Sequence, residues 1–92
     1  DGKVTTVLVK PASYTEGRFT VQVGSFKEKS NAKALVRNLK KRYGRVRIEV
    51  FKLNGVKFYR VQTEEKNTIG QALAMQKRLE KEGFRDCFVV AR

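Results

Sequence analysis

Gln22 and Gln62 stand 40 positions apart, and each follows a valine in an alternating segment, Phe19-Thr20-Val21-Gln22-Val23 and Tyr59-Arg60-Val61-Gln62. A primary amide carries two N–H donors and a carbonyl acceptor, so two of them side by side can hold hydroxyl and N-acetyl groups. Phe58 and Arg60 share the parity of Gln62 and therefore point to the same side of their strand. The ring is a flat apolar platform, and the guanidinium is a permanent positive charge. These groups bind; none of them reacts. The chain has no histidine and no Gly-x-Ser-x-Gly element. Its one adjacent acidic pair, Glu64-Glu65, sits at a strand-to-helix turn where carboxylates favour the helix N-terminus. A single cysteine (Cys87) with scattered carboxylates makes no metal-ligand cluster. The expectation is a non-catalytic binding module with no cofactor and no metal.

The elements that must position these residues come as a repeat. Phe19 matches Tyr59, Ala32 matches Ala72, Ala34 matches Ala74 and Leu39 matches Leu79, all at the same offset of 40. A fixed period of that size means one supersecondary unit used twice. Each copy reads as strand, amphipathic helix, strand. Residues 18–23 alternate as a half-buried strand, with Phe19, Val21 and Val23 inward. Gly24-Ser25-Phe26 bends the chain, and Ser30 or Asn31 can cap a helix over 31–42. Ala32, Leu35, Val36, Leu39 and Tyr43 form its apolar stripe, and Gly44 ends it. A second strand over 46–52 turns inward Val46, Ile48 and Val50, with Arg47 and Glu49 opposite. Asn54-Gly55 then predicts a tight hairpin into a third strand over 56–63. A helix over 68–82 carries Ile69, Ala72, Leu73, Gln76 and Leu79 on its inner stripe, and Gly83 closes it.

The last strand, 86–91, has two possible parities. Aligning the halves on their first strands makes Phe88 core; aligning them on Gly44 and Gly83 makes Cys87 core and sends Phe88 outward. The strong burial tendency of free cysteine favours the second alignment.

Two βαβ halves predict an α+β fold, the βαββαβ ferredoxin-like (split βαβ) sandwich: a four-stranded antiparallel sheet with two helices on one face. The first and third strands are central in that fold. Its helix-free face would carry Thr20, Gln22, Phe58, Arg60, Gln62 and Phe88, with Ser25 at the rim. An exposed ring among amides and a guanidinium marks a contact surface.

A chain of 92 residues with 40% hydrophobic content supports one folded domain. Residues 1–17, with Pro11 and a run of small and polar residues, read as a linker or N-terminal extension, although 3–10 is β-prone. No apolar run reaches membrane-spanning length. The formal net charge of +12 favours encounter with polyanions. Many of the cations fall in the first helix (Lys33, Arg37, Lys40, Lys41, Arg42), away from the open face, so charge alone does not locate a site.

The string Phe19-Thr20-Val21-Gln22-Val23-Gly24-Ser25-Phe26, followed by Asn31-Ala32 and Leu39, resembles the opening signature of SPOR domains. Tyr59-Arg60-Val61-Gln62, Ala72, Leu79 and Gly83-Phe84 resemble its second half, so the likeness spans residues 18–91. Members commonly have Gly-Pro-Phe after the third strand, where this chain has Thr63-Glu64-Glu65. The N-terminal stretch is similar to the linker before the C-terminal SPOR domain of rare-lipoprotein-A-type lytic transglycosylases. The resemblance implies a βαββαβ domain of the bacterial periplasm or cell envelope that binds peptidoglycan, preferring glycan strands stripped of stem peptides at the division septum. A stripped strand exposes the lactyl carboxylate of each N-acetylmuramic acid, so it is a regular polyanion. Gln22 and Gln62 would then bond the sugars, Phe58 would pack on a pyranose and Arg60 would pair a carboxylate. The domain is expected to act as a monomer without membrane contact of its own.

The rival reading is single-stranded RNA binding, because RNA-recognition modules share the topology and stack bases on the open sheet. Residues 55–61 lack the Gly/aromatic spacing of that family's signature, and the first strand offers Gln22 where a ring is needed. Nucleic acid is therefore not the favoured partner.

Overall fold

The computed structural model describes residues 16–92; the expectations of a linker or strand within residues 1–15 lie outside them. The elements are β1 (Glu16–Phe26), α1 (Lys29–Tyr43), β2 (Val46–Leu53), β3 (Val56–Thr63), β4 (Lys66–Thr68), α2 (Ile69–Lys81) and β5 (Phe88–Ala91). The hydrogen-bonded strand order is β2-β3-β1-β4, and β5 also pairs with β1. β1 pairs antiparallel with β3 and β4, as β2 does with β3. This is the expected α+β architecture with one additional short strand: after Thr63 the chain leaves the ladder for Glu64-Glu65 and pairs again at Lys66–Thr68.

The chain forms two compact units, and β1 contributes to both. Residues 22–64 make one. In it α1 packs on β2 and β3, with Ala32, Leu39, Tyr43, Val46 and Val61 buried. The hairpin turn is the one Asn54-Gly55 demands: both residues have positive φ, 51° and 81°, which matches the twist of the flanking strands. α1 starts two residues earlier than its pattern suggests. Glu28 takes the N-cap position and makes no side-chain capping bond, so neither Ser30 nor Asn31 caps the helix.

Residues 16–21 and 65–92 are the described part of the other unit, where α2 packs on β4 and β5. Thr68 Oγ1 accepts from the Gln71 N–H at 3.1 Å and caps α2. At its far end Gly83 adopts φ 104°, and its N–H and that of Phe84 donate to Glu80 O and Leu79 O, a Schellman ending. The inner stripe is Ala72, Met75 and Leu79; Leu73 is instead 45% exposed. The expectation for Leu73 fails because it lies about 100° round the helix from Ala72, outside an arc centred on 72, 75 and 79. Cys87 is fully buried and its thiol faces Gln76 O at 3.7 Å, as the second alignment of the halves required.

Candidate functional site

Within the 22–64 unit, α1 covers one face of the strands. A Cβ on Gly24 would meet Leu35 Cδ2 of α1 at 3.2 Å, so Gly24 and its partner Val61 face the helix. Alternation then puts Phe58, Arg60 and Gln62 of β3 on the opposite face, together with their β2 partners Phe51, Glu49 and Arg47. Gln22 pairs directly with Gln62. From Gln22 to Gly24 the register slips by one residue, a β-bulge at Val23. The bulge reverses the parity of β1, and Ser25 therefore pairs with Arg60 and joins its face. An unbroken alternation would have put Ser25 under the helix.

Five of the expected site residues, Gln22, Ser25, Phe58, Arg60 and Gln62, thus share one face of this unit. Thr20 and Phe88 belong to the other unit, where Thr20 is buried and Phe88 half-buried. The five are not equally accessible. Gln62 is 1% exposed and Gln22 8%, whereas Ser25 is exposed and Phe58 and Arg60 are half-buried.

The face has an order along its strands. At the hairpin end, Phe51 and Phe58 are a directly opposed aromatic pair. Next come Glu49 and Arg60, opposed in register and of opposite charge. They pass each other by. The Arg60 guanidinium carbon lies 3.8 Å from the centroid of the Phe51 ring, a close cation–π contact. Glu49 Oε1 accepts instead from Gln62 Nε2 at 2.9 Å, and its Oε2 lies 4.0 Å from Arg47 Nη2. Gln62 Nε2 also reaches towards Gln22 Oε1 at 3.5 Å, the outer limit of a hydrogen bond. Gln62 therefore occupies the carboxylate that would otherwise neutralise Arg60. Among the described residues Arg60 forms no ion pair, and its guanidinium hydrogens remain available in the plane of the group.

Phe51 and Glu49 did not figure among the expected site residues. The signal was in the sequence: Arg47, Glu49 and Phe51 have the parity opposite to Val46, Ile48 and Val50, and an Asn-Gly hairpin fixes which β3 residues they face.

Two other features carry less chemistry. A groove of about 390 Å³ runs between Lys66-Asn67 and the α2 residues Gln71, Met75 and Arg78, without an aromatic side chain in its wall. Ser30 and Lys33 have Ser-x-x-Lys spacing, but both are exposed on α1. Among the described residues there is no group of three or more metal-ligating side chains, and no helix is long and apolar enough to cross a membrane.

The sequence profile of the family described as the SPOR domain matches residues 15–91. A solved structure, the peptidoglycan binding domain of the B. subtilis cell wall lytic enzyme CwlC, is similar with a TM-score of 0.63 and 29% sequence identity. The similarity covers 92% of this chain and 99% of that one. No curated protein matches the chain.

Proposed function

The chain belongs to the SPOR domain family, and from that premise we propose that it is a non-catalytic peptidoglycan-binding domain of a cell-envelope protein. The similar CwlC domain is itself a peptidoglycan binding domain. The binding domain in this reading takes in β1 from Glu16 onward, two residues earlier than the expected start at residue 18, and the residues before it are the linker that tethers it. It works as a monomer, does not favour nucleic acid and makes no membrane contact of its own.

The ligand is the glycan strand, preferentially one stripped of stem peptides, and the domain carries its parent protein to the division septum, where such strands arise. The observation that carries this reading is Arg60: a guanidinium stacked on Phe51, beside Phe58, with its cross-strand carboxylate engaged elsewhere. A ring platform beside an unneutralised cation suits a sugar chain bearing one carboxylate on every second residue. An intact stem peptide would convert that carboxylate to an amide and remove the charge Arg60 attracts. Ser25 lies across from Arg60 and adds a hydroxyl. Gln22 and Gln62 supply the amides.

Retention on purified sacculi, intact against amidase-stripped, tests the proposal. The stripped material should retain more protein, and Phe58→Ala or Gln22→Ala should weaken retention, the pair together most. Equal retention on both materials removes the preference for stripped strands. Undiminished retention by the double variant removes this face as the site.

A further inference from the structure

The basic residues of α1 do not belong to the face just described, because α1 covers the other side of the same strands. Of its 15 residues, Lys29, Lys33, Arg37, Lys40, Lys41 and Arg42 are cationic and none is acidic. Lys29, Lys33, Arg37, Lys40 and Lys41 are all exposed, and none of the five forms an ion pair among the described residues. Their spacing, i, i+4, i+8, i+11 and i+12, places them in one stripe about 18 Å long, with roughly 6 Å of helix axis from one turn to the next.

Much of this arrangement opposes the stability of the helix that carries it; only Lys40 and Lys41, in the last turn, favour the dipole. Lys29/Lys33, Lys33/Arg37 and Arg37/Lys41 are like-charge pairs at i,i+4, each destabilising. Lys29 lies in the first turn, where a cation opposes the helix dipole and the N-cap contributes no side-chain bond. The equivalent helix of the second repeat has less of this: one like-charge pair at i,i+4, Lys77/Lys81, and no cation in its first turn. α2 has the Thr68 cap and the Gln76–Glu80 hydrogen bond at 3.2 Å. It also places Leu73 and Glu80 where α1 has Lys33 and Lys40. Local rules are broken more often in the first copy of the repeat than in the second, the pattern expected where function sets the residues.

We propose that the outer face of α1 is a second binding surface, for a linear polyol-phosphate polymer of the cell wall. A stripe with successive cations roughly 6 Å apart along the helix axis fits a chain that carries a negative charge on every repeat. A membrane surface would call for apolar side chains beside the cations. The exposed large hydrophobic residues (Val50, Leu53, Val56 and Leu73) all lie on other elements. Single-stranded nucleic acid would call for rings on which bases stack, and the one aromatic residue of α1, Tyr43, is buried. The wall setting rests on the functional reading above; the charge stripe does not.

The test titrates the 92-residue chain and its Lys33→Gln/Arg37→Gln/Lys41→Gln variant with poly(glycerol phosphate) at low and near-physiological salt. The wild type should bind, losing affinity steeply with salt, and the variant should bind on the order of tenfold or more weakly with a shallower salt dependence. Removing like-charge pairs should leave the melting temperature unchanged or higher. Retention on stripped glycan, measured in parallel, should be the same for both proteins. No wild-type binding, equal binding by the variant, or tighter binding of single-stranded RNA of matched charge would overturn the proposal. Parallel loss of glycan retention would overturn it too, by making the stripe part of the glycan site. Failure of the wild type to hold glycan while still binding the polymer would instead refute the sheet-face reading and leave the stripe standing.

Discussion

Gln62→Leu separates two roles that the Gln62 amide can have at the sheet face. The side chain is 1% exposed, and its Nε2 is engaged by Glu49 Oε1 at 2.9 Å. If the amide acts by holding Glu49 away from Arg60, its loss frees the carboxylate to turn to the guanidinium opposite. A hydrogen bond to a charged acceptor is worth about 1.5–3 kcal/mol in general. The Glu49 side chain is 41% exposed, so water replaces part of the bond and the stability cost falls to about 1 kcal/mol. For a domain of this size that lowers Tm by about 4–8 °C. The new Glu49–Arg60 pair is semi-exposed and contributes about 0.2–1 kcal/mol, all of which a ligand carboxylate must overcome. Glycan affinity should therefore drop about 1.4- to 5-fold, far less than the ten- to hundredfold expected for Arg60→Ala, which deletes a charge-assisted contact of about 1.5–3 kcal/mol. Isothermal titration with a stripped glycan fragment, alongside thermal melts, reads both quantities. The decisive comparison is the double variant Glu49→Gln/Gln62→Leu. With no carboxylate to capture Arg60, affinity should return while Tm stays low. Failure of Glu49→Gln to restore affinity would refute the positioning argument and make Gln62 a direct contact.

Two further predictions test the packing that holds the site. Leu79→Ala, at a fully buried position of α2, should cost about 2–5 kcal/mol, whereas Leu73→Ala on the same helix should stay within about 0.5 kcal/mol; equal effects in denaturant melts would contradict the register of α2. Gly24→Ala would press a methyl to 2.9 Å from Phe26 Cε2 and 3.2 Å from Leu35 Cδ2, an overpacking cost of about 1–3 kcal/mol. Gly55→Ala meets no atom within 4 Å, so its cost of about 1–2 kcal/mol comes from its φ of 81° alone. Gly24→Ala should also displace Ser25 and so weaken glycan binding, while Gly55→Ala should not.

Much of this molecule is legible one residue at a time. The offset of 40 between Val21-Gln22 and Val61-Gln62 announces a doubled unit, Asn54-Gly55 demands left-handed backbone, and the alternation of 46–52 and 56–63 sorts each side chain to a face. Local sterics and period enforce these features, and neither depends on distant contacts. The burial of Cys87 follows from composition in the same way.

Other features exist only once strands meet. A bulge at Val23 is a mismatch between two strands, so no reading of β1 alone could bring Ser25 beside Arg60. The strand at Lys66–Thr68 is defined by its pairing with β1, not by its own composition. Leu73 and Met75 are both apolar, and only the direction from which α2 meets β4 and β5 exposes the first and buries the second. The choice Gln62 makes between Gln22 and Glu49 leaves Arg60 to Phe51, and it is a competition among neighbours brought from three strands. Sequence period fixes which face a residue takes. Which partner it finds there is settled by hydrogen bonds and packing between segments far apart in the chain.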